Sequence, residues 1–421
     1  MSDTHPYDAL VCTSTAAQKA VSLLLEHVES SFNQAYGTEL AYGGRLAVIP
    51  LGVDTERFQP RDQAAARAAF QLEAGAFVLL WVGRLSAIDK ADLMPLILAF
   101  SELVRANPGQ ALLLVCAGTE HRAERFAAHL HEWAGVLGVG PQVRVLTDLQ
   151  DVHGLYAAAD VFVSPVDNLQ ESFGITPIEA MASGVPQVVS DWNGYRDTVR
   201  HGETGFLVPT YGSASDGDLA EDALCSDSPS DHLALAQSVA VDVEALQRAI
   251  QTLIDHRDLR LTMAAQSRKR AEQVFAWDVV IGQYEALWEE LAARCRHTPV
   301  PTKPPPRYTR PIYTRAFGHY PSRMLSDEDA VVLSAAGWRL VRGEVGLPLV
   351  YDEAWGGVQA ELLQRVLRGV VHAAERGESV TLGRLADVIA RKPESTHARD
   401  AVFRHALWLL KYGFIRQPSA A

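Results

Sequence analysis

Glu171 and Glu179 stand eight positions apart, around Ser172, Phe173, Gly174 and Ile175. Carboxylates accept hydrogen bonds from hydroxyl groups. The Phe173-Gly174 turn between them opens an apolar, helix-like run that reaches Ser183 and stops at Gly184. A helix N-terminus attracts phosphate through its free N–H groups and its dipole. Gly174 lets a ligand come close to the backbone because it has no side chain. Two carboxylates flanking the N–H groups of residues 173–175 therefore suit a ligand with both phosphate and sugar or ribose hydroxyls, as in a nucleotide sugar. Phe173 is expected to pack beneath the loop. A plainer reading stays open. Thr176-Pro177-Ile178-Glu179 has the spacing of a capping box with Pro at the first helical position, which would make Glu179 a helix-start residue. Glu171 would then be a solvated loop acid.

The elements around these residues form strand–loop–helix–strand units. Phe77–Val82, Leu112–Ala117, Val143–Leu146, Asp160–Ser164 and Gln187–Ser190 are apolar runs of strand length. Helical patterns fall at roughly 93–106, 122–136, 151–158 and 177–183. Alternation of this kind predicts an α/β fold with a doubly wound parallel sheet, whose ligands bind at the carboxyl ends of the strands.

The Glu171-to-Glu179 stretch resembles the E-x7-E signature of retaining glycosyltransferases of the GT-B fold, in particular family 4, the group 1 glycosyl transferases. Four other segments agree in order and spacing. They are Pro50–Asp54 with Phe58 and Pro60; Leu80–Leu85 with Lys90; Leu112–Gly118; and Asp191–Pro209. Together they span roughly residues 45–297 and imply a nucleotide-sugar donor domain. The resemblance implies that Gly83, Arg84 and Lys90 form a phosphate element, with Arg84 and Lys90 balancing the leaving diphosphate. Arg holds two phosphate oxygens at once, and Lys acts as a point charge. It further implies that Glu171 contacts sugar hydroxyls and Glu179 the ribose, while Ser172, Phe173, Gly174 and Ile175 complete the donor cradle. Catalytic roles would fall to Arg84, Lys90 and Glu171. No metal or other cofactor is implied beyond the donor itself, and the anomeric configuration would be retained. Taken alone, Lys90 also reads as a surface lysine paired with Asp89 or Asp92. One departure concerns the loop path: many relatives place Gly after the lysine, whereas here Ala91-Asp92 follows.

A larger departure lies upstream. Asp8–Ser14 reads as a strand ending at a helix cap, and 15–35 as an amphipathic helix with Ala20, Leu23, Leu24, Val28 and Phe32 on one face. In the family such elements close an N-terminal acceptor domain, and a domain of that kind takes roughly 100 residues or more. Residues 1–45 are read as its remnant. Two functional readings follow. One is a glycosyltransferase acting on an unidentified acceptor. The other is a non-catalytic or partner-dependent nucleotide-sugar-binding module, completed by a second copy or by a separate acceptor-domain chain.

The chain has 421 residues and a formal net charge of −13, which argues against general binding to nucleic acid or anionic membranes. It holds no apolar run long enough to span a bilayer and opens with no signal-peptide pattern. Cys12, Cys116, Cys225 and Cys295 show no metal-ligand spacing, and a reduced, cytoplasmic setting is expected. Residues 211–231, rich in Asp and lacking Lys and Arg, read as an acidic surface loop. Helices are expected near 243–256, 258–274 and 277–295. Residues 298–315 read as a basic, Pro-rich linker, and 316–421 as a separate, mainly α accessory domain that the family motifs do not cover. The helix–helix–strand order of 381–416 weakly resembles a winged helix. Arg399, Arg404, His405 and Lys411 lie among apolar residues of the second helix. Packing against protein, with the basic residues on a solvated face, is favoured there over nucleic-acid reading.

Overall fold

The structure, a computed structural model, describes residues 4–88, 90–120, 125–147, 149, 151–169, 171–214, 229–297, 316–347, 358–390 and 396–418. Its strands are β1 (Ala9–Cys12), β2 (Arg45–Val48), β3 (Phe77–Val82), β4 (Leu112–Gly118), β5 (Val143–Thr147), β6 (Val161–Ser164), β7 (Gln187–Ser190), β8 (Gly205–Val208), β9 (Thr210–Ser213), β10 (Ala240–Val241), β11 (Arg323–Leu325), β12 (Ala330–Leu333), β13 (Val380–Thr381) and β14 (Ile415–Arg416). The helices are α1 (Thr15–Tyr36), α2 (Gln63–Ala69), α3 (Met94–Ala106), α4 (Phe126–Val136), α5 (Val152–Ala158), α6 (Ile175–Ala182), α7 (Tyr195–Thr198), α8 (Pro229–Gln237), α9 (Val243–Asp255), α10 (Arg257–Arg270), α11 (Trp277–His297), α12 (Ala335–Val341), α13 (Ala360–Ala374), α14 (Leu382–Ile389) and α15 (Thr396–Lys411).

The central sheet is parallel and six-stranded, in the order β5-β4-β3-β6-β7-β8. Every residue of β3 is buried, as are all four of β6 and of β7. Strands covered by helices on both faces are mainly apolar; β3 is apolar along its whole length and stood out as a continuous run, while β6 and β7 also bury Ser164, Gln187 and Ser190. The α/β fold with a doubly wound parallel sheet expected from the sequence is present. Strand order reverses between β3 and β6. β4 and β5 extend one way from that point, and β7 and β8 the other. The crevice at the carboxyl ends of β3 and β6 is therefore the topological switch point.

Two short parallel strands, β1 and β2, lie beside this core. α11 returns to them, packing Val280 and Leu287 on Ala47 and Ile49, and Arg45 pairs with Glu290. Leu10, Val11, Val48, Ile281 and Trp288 on these elements are exposed.

The acidic-loop expectation for 211–231 needs correction at both ends. Tyr211–Ser213 belongs to β9, held by β10 on one side and β11 on the other, and a helix begins at Pro229. Residues 215–228 and the linker at 298–315 lie outside the described residues. The C-terminal unit makes contact with the rest of the fold. β11 pairs with β9 in parallel register, and Arg196 donates to the carbonyls of His319 (2.7 Å) and Tyr320 (2.6 Å). β12 forms a three-stranded sheet with β13 and β14, backed by α13, α14 and α15. α15 is buried through Val402, Phe403, Ala406, Leu407, Trp408, Leu409 and Leu410, and it packs on β9, β10 and α8. It is a packing helix, and Lys411, expected on a solvated face, is fully buried.

His405 is buried in that helix. Its Nε2 accepts the Gln359 N–H at 2.8 Å, so Nδ1 carries the proton it shares with the Ala401 carbonyl at 2.6 Å. Burial lowers its pKa to about 4, with Arg404 adding to the effect against the Ala401 bond. A folded-state pKa below the usual 6.5 means that stability is present above pH 6.5 and is lost as pH falls toward 4, by roughly 3 kcal/mol in all. Denaturant titrations between pH 7 and 4 should show this loss in the parent and a shallower one in His405→Gln. Equal slopes would contradict the assignment.

Candidate functional site

The site is built on two loops at the switch point. The first follows β3. A Cβ on Gly118, at the end of β4, would lie 1.6 Å from the Gly83 carbonyl oxygen. A Cβ on Gly83 would meet the Trp81 ring at 2.8 Å and Lys90 Cε at 3.0 Å. Glycine at both positions lets the strand ends meet and lets the lysine stem lie across the chain. Arg84 leaves this point exposed. Lys90 turns to the second loop, where its Nζ forms an ion pair with Glu171 Oε2. This overturns the surface pairing with Asp92, which is buried and turned inward toward Lys411 and Tyr412. Asp89 lies outside the described residues.

The second loop runs from β6 to α6 and is held on several sides. Trp192 Nε1 donates to the Asn168 carbonyl at 2.9 Å, Asn193 donates to the Glu171 carbonyl, and Ser14 Oγ donates to the Ser172 carbonyl at 2.6 Å. Ser14 also caps α1 by accepting the Ala17 N–H, so the first strand-helix unit is fastened to the loop. Phe173 packs beneath it, edge-on to Phe275 at 6.0 Å. Ser172 and Ile175 are exposed at its surface. Trp192, Asn193 and Ser14 were not singled out as holding groups. The Asn193-Gly194 pair was the available signal: Asn193 has φ 44°, and a Cβ on Gly194 would sit 2.5 Å from Phe173 Cα.

α6 begins at Ile175 with Gly174 as its cap, and no side chain bonds across its start. Pro177 is thus its third residue and Glu179 its fifth, which removes the capping-box reading. Glu179 instead accepts the Tyr156 hydroxyl at 2.8 Å. Burial pushes its carboxyl above the usual range, while Tyr156, His153, Lys90 and Arg57 pull it back. The result is a sheltered carboxylate beside the helix start. Tyr195 lies beneath Gly174 and shares a hydrogen bond with Ser164 at 2.9 Å. A cavity of 590 Å³ adjoins the loop at Asn193, lined also by Thr15, Lys19, Arg196, Asp197 and His319.

Residues 76–223 match the family described as Glycosyl transferases group 1. Over that segment the chain is similar to group 1 glycosyl transferases. Curated relatives include a D-inositol 3-phosphate glycosyltransferase of Nocardia farcinica, 37% identical over 167 residues, covering 39% of this chain and 36% of the relative. Another with that name, from Geodermatophilus obscurus, is 31% identical over 261 residues, covering 59% and 49%. The chain thus spans between about a third and a half of the length of these relatives. Among solved structures, a glycosyltransferase from Rickettsia africae aligns with TM-score 0.49 at 16% identity, over 68% of this chain and 64% of that one. The family match ends far short of the C-terminal unit, so β11–β14 and α12–α15 lie beyond the glycosyl transferase domain as matched. No helix among the described residues is long and apolar enough to cross a membrane.

Gly174 has φ 96°, and a Cβ there would lie 2.2 Å from Tyr195 Cε1. Gly174→Ala should cost about 1–3 kcal/mol in denaturant unfolding, because it strains the backbone and displaces Tyr195. A variant as stable as the parent would show that the turn is not fixed in this form.

Proposed function

We propose that the glycosyl transferase domain binds a nucleoside-diphosphate sugar in the crevice between β3 and β6 and transfers the sugar, with retention, to an acceptor hydroxyl. The observation that carries this reading is the Lys90–Glu171 ion pair at the switch point. On this reading, a cation and an anion wait together in a crevice where the donor offers each a separate partner. Lys90 and Arg84 turn to the diphosphate, joined by the N–H groups at the start of α6. Glu171 then accepts sugar hydroxyls, and Glu179, held by Tyr156, accepts ribose hydroxyls. In transfer, the bond from the anomeric carbon to the diphosphate oxygen breaks and the electron pair leaves with that oxygen. The acceptor oxygen bonds the same carbon from the same face, and its proton passes to the leaving phosphate. The two cations and the helix N-terminus supply the charge balance, with no metal needed. The acceptor would approach through the cavity at Asn193.

A second reading keeps donor binding but takes the acceptor surface from outside this sequence, in a longer chain, a second copy or a separate chain. The exposed Leu10, Val11, Val48, Ile281 and Trp288 favour it as ground for such a surface. Sedimentation together with a transfer assay separates the two: a monomer that transfers sugar rejects the second.

Titration calorimetry with UDP, GDP and ADP tests donor binding. One of them should bind, and Arg84→Ala and Glu179→Ala should each weaken it by about tenfold or more. Binding of none, or full affinity in both variants, would overturn the assignment.

A further inference from the structure

The end of α15 reaches into the base of the donor crevice. Lys411 Nζ is fully buried and forms an ion pair with Asp167, with Asp92 at 3.6 Å and the Ala236 carbonyl at 3.4 Å. The next residue, Tyr412, donates its hydroxyl to Asp92, and its ring stacks on Trp408 at 4.2 Å. Asp92 in turn fixes the start of α3 by accepting the Met94 N–H at 2.9 Å, and its own N–H donates to Asp167 at 3.3 Å. The neighbouring Asn168 donates to the Ile88 carbonyl. Asp92 is two residues from Lys90, and Asp167 four from Glu171. The loops that carry Lys90 and Glu171 are therefore joined at the mouth by their own ion pair, and at the base both directly, Asp92 to Asp167 and Asn168 to Ile88, and through a cation from the C-terminal unit. The cation is needed there. Two buried carboxylates side by side repel; burial and Asp92 raise the Asp167 pKa, and even with Lys411 drawing it down it stands at about 6.

We propose that Lys411 and Tyr412 are positioning residues for the donor site, so that the C-terminal unit sets the spacing of Lys90 and Glu171 by clamping Asp92 to Asp167. This rests on the donor-site reading above. The charge comes from outside the matched glycosyl transferase segment, since Lys411 lies nearly two hundred residues beyond its end. The clamp also gives a reason for Asp92, which stands where the loop departs from the family pattern.

The test uses the full chain. Lys411→Met alone would strand two buried carboxylates and endanger folding, so the working variant is Lys411→Met with Asp167→Asn, alongside Tyr412→Phe. Hydrogen exchange without ligand should show amides of 86–92 and 168–174 losing protection by about tenfold or more in the double variant, while β3 and β4 keep theirs. Affinity for whichever of UDP, GDP and ADP the parent binds should fall by about tenfold. Lys90→Ala should then cost far less in the double variant than in the parent, since coupled residues are not additive. Unchanged exchange in both loops, or a Lys90→Ala effect of full size in the double variant, would overturn the clamp. Loosened loops in a chain whose parent binds no nucleotide would instead overturn the donor-site reading and leave the tie between the loops supported.

Discussion

The reversal of strand order between β3 and β6 is the constraint from which the rest follows. Two parallel strands whose successors diverge leave a crevice that no crossover helix can fill. Whatever lines that crevice comes from the two loops leaving the strand ends. Gly83 and Gly118 let the strand ends converge, and Gly174 turns the chain sharply into α6. The charged residues are then delivered by backbone geometry. Lys90 crosses from one loop to meet Glu171 on the other, and Glu179 is carried inward on the first turns of the helix.

Charge inside such a crevice is costly unless it is paired. Each buried or sheltered charge here has a named counterpart. Lys90 faces Glu171, Tyr156 donates to Glu179, and Lys411 faces Asp167 and Asp92. The groups nearest the mouth are the least covered, and on the proposed reading their pairing is exchanged for a ligand. Those at the base are sealed, and their pairing fixes geometry.

Much of this was legible in the sequence because the central sheet is buried on both faces. Phe77–Val82 and Leu112–Gly118 are apolar throughout, and runs of that kind are unmistakable. β9 and β10 were not legible. Thr210-Tyr211-Gly212-Ser213 has no strong strand preference, and Ala240-Val241 is too short to register; both are strands because β11 and α15 pack there. The capping-box spacing at Thr176 misled for a related reason. Gly174 adopts a positive φ and starts the helix earlier than the spacing allowed. Lys411 shows the limit most clearly. A basic residue on an apolar helix looks like a solvated edge, and only the fold reveals two aspartates waiting from loops hundreds of residues upstream.

The central claim is that one nucleotide site lies at the switch point and uses both loops. Hydrogen exchange across the whole chain, with and without the nucleoside diphosphate that binds, tests it most directly. The account predicts added protection concentrated at 83–91 and 171–179. Protection elsewhere with both loops unchanged would contradict it.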